Sequence, residues 1–290
     1  MKGGAKRRDD IQLAKVQSAN QSWWTDYTMS YDWNQKIKHE KFSLAWFDDS
    51  DQRFIHGARL FAHDKRPFDR IIPFDQLRGK RVLEIGCGMG LHSELMNRAG
   101  GDVTSIDLSE TSIAATSRRF DLKGLTGDIR QMDAEKLDFA DGSFDFVWSW
   151  GVIHHSSHTG RVVKEIHRVL RPGGECRVMV YNLGGMPAYL TILSSYLFKF
   201  WRGRTVDECL WAVTDGFSAR YYSRDMLSDI FHIFFEPVSV VTYGQDADAM
   251  PLPARLRRMV LRFVPETLQR EWVRQRGAFL FATATKSRVA

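Results

Sequence analysis

The sequence predicts an α/β fold in which a mostly parallel sheet is covered by helices. Short apolar runs typical of buried strands alternate with stretches of helical periodicity between residues 80 and 182. One such stretch, 160–170, carries its apolar residues at helical spacing. A strand-helix-strand order implies parallel pairing with right-handed crossovers, and sheets of this kind bind ligands at the carboxyl ends of their strands. The sequence therefore predicts one functional edge of the sheet.

A glycine-rich loop after the first predicted strand indicates a nucleotide-type ligand. Residues 82–90 read Val-Leu-Glu-Ile-Gly-Cys-Gly-Met-Gly, so the glycines are Gly86, Gly88 and Gly90. Alternating glycines permit a tight turn and let a ligand lie against bare backbone, because no Cβ blocks its approach. A dinucleotide fingerprint would need a further glycine where Leu91 stands. The spacing therefore weighs against a pyrophosphate ligand.

An acidic residue on the same strand favours a cationic ligand. Glu84 precedes the first glycine by two residues. A carboxylate in that place would repel a phosphate and attract a cation. S-adenosylmethionine carries both an ammonium and a sulfonium group and fits this requirement.

At these residues the chain resembles the class I S-adenosylmethionine-dependent methyltransferases, in particular the small-molecule type of quinone biosynthesis. The first motif of that family is an acid, one residue and G-x-G-x-G, as at 84–90. The resemblance continues through Asp107 at the end of a second strand, Asp133 after a third, and Trp-Gly-Val-Ile-His-His at 150–155 after a fourth. It covers residues 80–182. It implies a Rossmann-like sheet of seven strands with helices on both faces and the last strand antiparallel.

The resemblance also implies which residues bind S-adenosyl-L-methionine, whose product would be S-adenosyl-L-homocysteine. Asp107 would accept hydrogen bonds from the ribose hydroxyls, and Asp133 would hydrogen-bond the adenine amino group. The other implied contacts are Glu84, Gly86, Cys87, Gly88, Gly90, Leu108, Met132, Ala134 and Trp150.

Two adjacent histidines after the fourth strand are the candidate catalytic residues. The sulfonium makes its methyl group electrophilic, so the protein mainly has to align the acceptor in line with the carbon and the sulfur. An oxygen or protonated nitrogen acceptor would benefit from a base, and His154 or His155 could supply one near neutral pH. Neighbouring side chains point in different directions, so we expect one ring to face the pocket and the other to pack or cap.

The chain is interpreted as one elaborated domain with three parts. Residues 1–79 form a helical lid or, in the alternative, helices that pack on the sheet edge. Residues 80–182 form the cofactor-binding core, and 183–290 complete the catalytic domain. The last part contains two cap insertions, an apolar one at 183–222 and a basic one at 245–276. The aromatic residues of the first part are Trp23, Trp24, Tyr27, Tyr31, Trp33, Trp46 and Phe47.

Most of the net charge of +6 comes from the segment 251–276. It holds seven arginines and two glutamates, a local charge of +5. Part of it predicts a basic amphipathic helix, which would either pack on the core or contact an anionic membrane surface or acidic substrate. The apolar residues at helical spacing are Leu256, Met259, Val260 and Phe263.

Composition narrows the class of protein. A chain of 290 residues with 43% hydrophobic and 26% charged residues is ordinary for a globular enzyme. Cys87, Cys176 and Cys209 form no C-x-x-C pair, which argues against a disulfide framework and a zinc site and favours the cytoplasm. No signal peptide or membrane span is expected, since the longest apolar run, 186–201, is short and interrupted by polar residues.

The patterns favour methyl transfer to the oxygen or nitrogen of a small, apolar or aromatic metabolite. Two alternatives stay open. A pI near 9.2 would suit a methyltransferase that acts on RNA or protein, although the Asn/Asp-Pro-Pro-Tyr motif of base-amine methyltransferases is absent, which makes nucleic acid the less expected partner. A partner subunit that binds the cofactor without turnover would keep the same fold. No motif names the acceptor or the oligomeric state.

Overall fold

A central sheet places the ends of its strands, and therefore every loop of interest, along one edge. The computed structural model describes residues 13–31, 36–63, 66–199, 205–212 and 214–288. Within these ranges the strands are β1 (Arg81–Ile85), β2 (Asp102–Asp107), β3 (Asp128–Gln131), β4 (Phe144–Trp150), β5 (Leu170–Asn182), β6 (Tyr221–Tyr222), β7 (Val238–Tyr243) and β8 (Phe279–Thr285).

The order and direction of the strands confirm the predicted fold class. The sheet runs β3-β2-β1-β4-β5-β8-β7, and β6 pairs with β5 off this path. Only β8 is antiparallel to its neighbours, β5 and β7. Within the described ranges the sheet has one strand more than the expected seven, the two-residue β6, which pairs with Tyr181 and Asn182. Two residues are too few to give a periodic signal in a sequence.

Helices cover both faces of the sheet. In the described part of the chain they are α1 (Leu13–Asp26), α2 (Leu44–Gly57), α3 (Leu91–Arg98), α4 (Glu110–Lys123), α5 (Thr159–Val169), α6 (Met186–Lys199), α7 (Val206–Trp211), α8 (Arg224–His232), α9 (Asp246–Ala249), α10 (Ala254–Leu261) and α11 (Glu266–Arg276). Ser223 begins α8 as predicted, because its hydroxyl accepts a hydrogen bond from the Met226 N–H at 3.1 Å.

Apolar side chains fill one buried cluster on each face of the sheet. Successive residues of β1 point to opposite faces, as in any strand. Leu83 therefore joins the cluster that contains Val163 of α5, and Val82 joins the one that contains Met96 of α3. Both faces are thus closed, and the carboxyl edge of the parallel strands is left for a site.

The basic segment contains the helix predicted for part of it and a second helix. It forms α10 and α11, each of which directly follows a proline, Pro253 or Pro265. Proline cannot donate the backbone hydrogen bond that a helix interior requires, so it separates the two helices and begins each of them. Leu261 of α10 is buried, whereas Leu256 and Met259 are exposed. Of the two alternatives left open for the predicted apolar face, packing on the core is therefore wrong, and contact with a membrane surface or an acidic substrate stays a prediction.

Candidate active site

A cavity of about 580 Å³ lies at the carboxyl edge of the sheet. Its walls come from the ends of β1, β2, β4 and β5, the glycine loop, α1, α2 and the segment after α7. This volume lies within the range of sites for small molecules and cofactors, about 300–1,000 Å³. The topology has placed the cavity where a parallel sheet is expected to bind its ligand.

The glycine loop uses left-handed backbone at its key positions. Gly86 has a φ of 81° and Gly88 a φ of 53°. A Cβ at position 86 would overlap the side chain of Val152, whereas one at position 88 would meet nothing within 4 Å. Gly86, Cys87 and Gly88 line the cavity. Gly90 does not line it and instead packs beside α4, where a Cβ would press on Thr116.

Asp107 ties the end of β2 to the glycine loop. Its carboxylate accepts hydrogen bonds from the N–H groups of Gly88, at 3.0 Å, and Ser109, at 2.9 Å. Burial raises the pKa of Asp107 above its usual value, against the effect of these bonds. Asp107 and Leu108 both line the cavity. The backbone thus fixes a carboxylate in the cavity wall.

Asp133 occupies the corresponding place after β3. One of its carboxylate oxygens accepts hydrogen bonds from the Glu135 N–H and from the Gln17 amide, both at 2.9 Å. Burial raises the pKa of Asp133, although these bonds oppose the shift. Met132 and Ala134 line the cavity beside it, as does Trp150 at the end of β4.

Glu84 lies behind the glycine loop instead of in the cavity wall. Its side chain is buried, accepts a hydrogen bond from the Ser93 hydroxyl, and lies 3.7 Å from Nδ1 of His92. Burial raises its pKa to about 8. Glu84 does not line the cavity, and its expected attraction for a cationic ligand stays a prediction.

The two histidines after β4 occupy different environments. His155 lines the cavity, and its Nδ1 lies 2.6 Å from the carbonyl oxygen of Ser218. A carbonyl only accepts, so Nδ1 carries the proton and Nε2 the free lone pair. Burial lowers the pKa of His155 to about 4. His154 is fully buried against Tyr181, does not line the cavity, and has its pKa lowered well below 6.5 by the same cause.

The helix α1 covers the ends of several strands. Besides the Gln17 contact with Asp133, the Asn20 amide donates to the His155 carbonyl at 2.6 Å. The Thr111 hydroxyl donates to the carbonyl of Thr25 at 2.9 Å. Gln17, Asn20 and Trp24 line the cavity. The N-terminal helix is therefore bound to the residues that follow β2, β3 and β4. Trp33 lies outside the described residues.

Comparisons with known proteins agree with this arrangement. A family model described as a methyltransferase domain matches residues 83–178. The chain is 35% identical over 150 residues to a ubiquinone biosynthesis O-methyltransferase of Pseudomonas aeruginosa, an alignment that covers 50% of this chain and 61% of that enzyme. It is 31% identical over 166 residues to the enzyme of the same name in Nitrosococcus oceani, covering 56% of this chain and 67% of that one.

The chain belongs to the class I S-adenosylmethionine-dependent methyltransferases. Its fold is shared by a methyltransferase of Thermotoga maritima described as a possible histamine N-methyltransferase, with a TM-score of 0.51 and 19% identity over 83% of this chain and 97% of that one. At that identity the likeness concerns the fold alone.

The cavity of this methyltransferase fits the cofactor of its class. The open space beside Gly88 lets a ligand approach bare backbone. Asp107 and Asp133 offer carboxylate oxygens at the ends of successive strands, where hydroxyl and amino groups can donate to them. The residues that would hold the nucleoside are therefore Gly88, Asp107, Asp133, Leu108, Met132 and Ala134.

The sequence did not single out several residues of the cavity, among them His92, Asp215 and Tyr181. His92 follows the glycine loop directly and packs among aromatic rings, and burial lowers its pKa to about 3. Asp215 lies between α7 and β6 and interacts electrostatically with Tyr31 and Tyr181. Asp215 and Tyr181 come from segments that are remote in sequence from the glycine loop, so no local motif marks them. Only His92 had a signal, its place beside the loop.

Proposed function

We propose that this methyltransferase transfers a methyl group from S-adenosylmethionine to an oxygen or nitrogen of a small metabolite with an aromatic or apolar body. The observation that carries the proposal is the shared cavity, in which cofactor-type residues and an aromatic wall face the same space. Aromatic rings bury large apolar area and stack on planar ligands. The aromatic residues of the wall are Trp24, Tyr31, Phe54, Trp150, Tyr181 and Phe279.

The role of the protein in this reaction is to hold and align. When bound, the cofactor supplies an electrophilic methyl group on a sulfonium and leaves as a neutral thioether. Asp107 and Asp133 are already fixed by hydrogen bonds, so little side-chain freedom is lost when they meet a ligand. The helix α1 forms one side of the cavity.

We assign the proton-accepting role to Nε2 of His155. The Ser218 carbonyl fixes the tautomer, and a pKa of about 4 keeps the ring neutral at physiological pH. A hydroxyl becomes strongly acidic as it gains a methyl group, so even a weakly basic imidazole can take its proton. Asp215, whose pKa is raised by burial, is the second candidate on the same wall.

Three variants separate these roles. With purified protein, S-adenosylmethionine and a panel of phenols and amines, we expect formation of S-adenosylhomocysteine. His155→Ala should lower kcat by about 10²-fold or more, while cofactor affinity measured by calorimetry stays unchanged. His154→Gln is the matched control, because the His154 side chain does not line the cavity, and it should retain turnover. Asp215→Asn tests the second candidate.

The pH profile gives an independent test of His155. Because its pKa is lowered to about 4, the His155 ring is neutral above pH 5 and can accept a proton from the substrate throughout that range. The kcat/KM should therefore not fall between pH 8 and pH 5.5, as it would for a base with an ordinary histidine pKa near 6.5. Full turnover by His155→Ala, or product formed with RNA but with no small molecule, would contradict the proposal.

A further inference from the structure

The helix α6 exposes its apolar side chains and buries small or polar ones. Leu193 is 54% exposed and Leu197 63% exposed, whereas Ala188 and Ser195 face the protein. A helix that packed only on its own core would show the opposite pattern. The exposed apolar residues of this helix are Tyr189, Leu190, Leu193, Tyr196 and Leu197.

The helix α10 shows the same inversion, with positive charge added. Met259 is 53% exposed, and Phe263, just beyond the helix, is 73% exposed. Arg255 and Arg258 are exposed on α10, and the guanidinium of Arg262 lies 4.4 Å from the centre of the Phe263 ring. The sequence from 250 to 265 contains no acidic residue. Apolar and cationic groups therefore share one short surface.

Both helices emerge at the edge of the sheet that holds the cavity. The chain enters α6 from the carboxyl end of β5, and it enters α9 and then α10 from the carboxyl end of β7. β5 and β7 run in the same direction, because each is antiparallel to β8 between them. Tyr181 lies at the carboxyl end of β5 and Gln245 lies between β7 and α9. Both residues line the cavity.

We propose that α6 and α10 dock the protein on the surface of an anionic lipid bilayer. Charge complementarity selects this occupant: arginines attract anionic headgroups while leucine, methionine and phenylalanine enter the acyl boundary. Tyrosine, which α6 exposes twice, is enriched at the same interface. Among the described residues no helix has the length and hydropathy of a membrane span, so the helices lie in the surface.

Docking would place the cavity edge against the bilayer. An apolar acceptor could then reach the cavity from the lipid phase without crossing water. This consequence rests on the proposed function, whereas the docking itself is measured without any turnover. Loss of vesicle binding would therefore contradict the docking alone, and absence of turnover would contradict the proposed function alone.

Vesicle sedimentation of the full chain tests the docking. We expect binding to vesicles of phosphatidylcholine with phosphatidylglycerol, and binding to phosphatidylcholine alone weaker by about tenfold or more. Because charge attraction is screened by salt, affinity should fall between low and high ionic strength. Leu193→Glu with Leu197→Glu, or Met259→Glu with Phe263→Glu, should each reduce binding by about tenfold or more.

Matched variants control for a general change of surface. Ile233 is 70% exposed at the end of α8, at the opposite edge of the sheet, and Ile233→Glu should leave vesicle binding unchanged. Arg255→Gln with Arg258→Gln should weaken binding to anionic vesicles. Arg118→Gln with Lys164→Gln, an equal loss of exposed charge on α4 and α5, should not. Cofactor affinity reports that each variant is folded.

Three results would overturn the proposal. One is wild-type protein that binds neither kind of vesicle. Another is an equal loss of binding in the Ile233→Glu variant. The third is a wild-type protein that does not bind vesicles and forms a dimer in analytical ultracentrifugation, where the Leu193→Glu and Leu197→Glu double variant is a monomer. That result would assign this face to a second copy of the chain.

Discussion

Replacement of Gly86 by alanine tests the packing of the glycine loop against the segment after β4. Left-handed backbone costs alanine about 1 kcal/mol, and the φ of Gly86 is 81°. Its Cβ would lie well inside contact distance of one Val152 methyl, with the Val152 Cβ at 3.1 Å and the other methyl at 3.2 Å. Overpacking of this kind costs about 1–3 kcal/mol, so the free energy of unfolding should fall by about 2–4 kcal/mol.

Two further variants isolate the contact from the backbone strain. Gly88→Ala has the strain without the clash, because nothing lies within 4 Å of its Cβ, and should lose only about 1 kcal/mol. Gly88 lines the cavity and its Cβ would stand in open space, so this variant should instead lose affinity for the cofactor. Val152→Ala removes both methyl groups and should recover most of the stability lost by Gly86→Ala.

Thermal unfolding with and without S-adenosylmethionine measures both effects. With an unfolding entropy of about 2.1 cal/mol/K per residue, 290 residues give about 0.6 kcal/mol/K, so Gly86→Ala should lower the Tm by roughly 3–7 °C and Gly88→Ala by roughly 2 °C. Equal losses in the two glycine variants would refute the reasoning. So would a double variant, Gly86→Ala with Val152→Ala, that is no more stable than Gly86→Ala with wild-type Val152.

Three other predictions concern single buried groups. Asp107→Ala removes a fixed acceptor and should weaken S-adenosylmethionine binding by about 10–100-fold in calorimetry. Burial raises the pKa of Asp248 to about 6 from 3.8, so its ionisation opposes folding by a cost that is absent below about pH 4 and reaches about 3 kcal/mol above pH 6. Asp248→Asn should therefore stabilise the protein more at pH 7 than at pH 4 in urea denaturation. Arg119 is fully buried between Asp51 and Glu94 at 2.6–2.8 Å, and its replacement by methionine should cost about 3–5 kcal/mol, since Asp51 loses its cationic partner and Glu94 keeps only Arg98 and Lys123.

Each of these has an outcome that would contradict it. An unchanged dissociation constant in Asp107→Ala would remove that residue from the cofactor site. A stability difference between wild type and Asp248→Asn that stays constant from pH 4 to pH 7 would show that the carboxyl group titrates normally. An Arg119→Lys variant with the stability of the wild type would contradict the third prediction. The compact ammonium of lysine cannot reach two carboxylates and the Met89 carbonyl as the planar guanidinium does.

The sequence by itself determined the features that are local in the chain. The glycine spacing at 86–90, the acid at the end of β2 and the bounds of β4 and β7 all follow from neighbours a few residues apart. Periodicity reports such short-range order directly, because the alternation of side chains along a strand and the turn of a helix are fixed by backbone geometry.

Only the tertiary structure decided what each of these features faces. It placed Glu84 behind the loop, turned His155 and not His154 to the cavity, and brought Asp215 to the tyrosines of distant segments. It also left the apolar faces of α6 and α10 uncovered. A pattern shows that a helix has an apolar face or that a histidine follows a strand. Burial, hydrogen-bond partners and pKa depend on elements far away in the chain, and these exist only once the chain has folded.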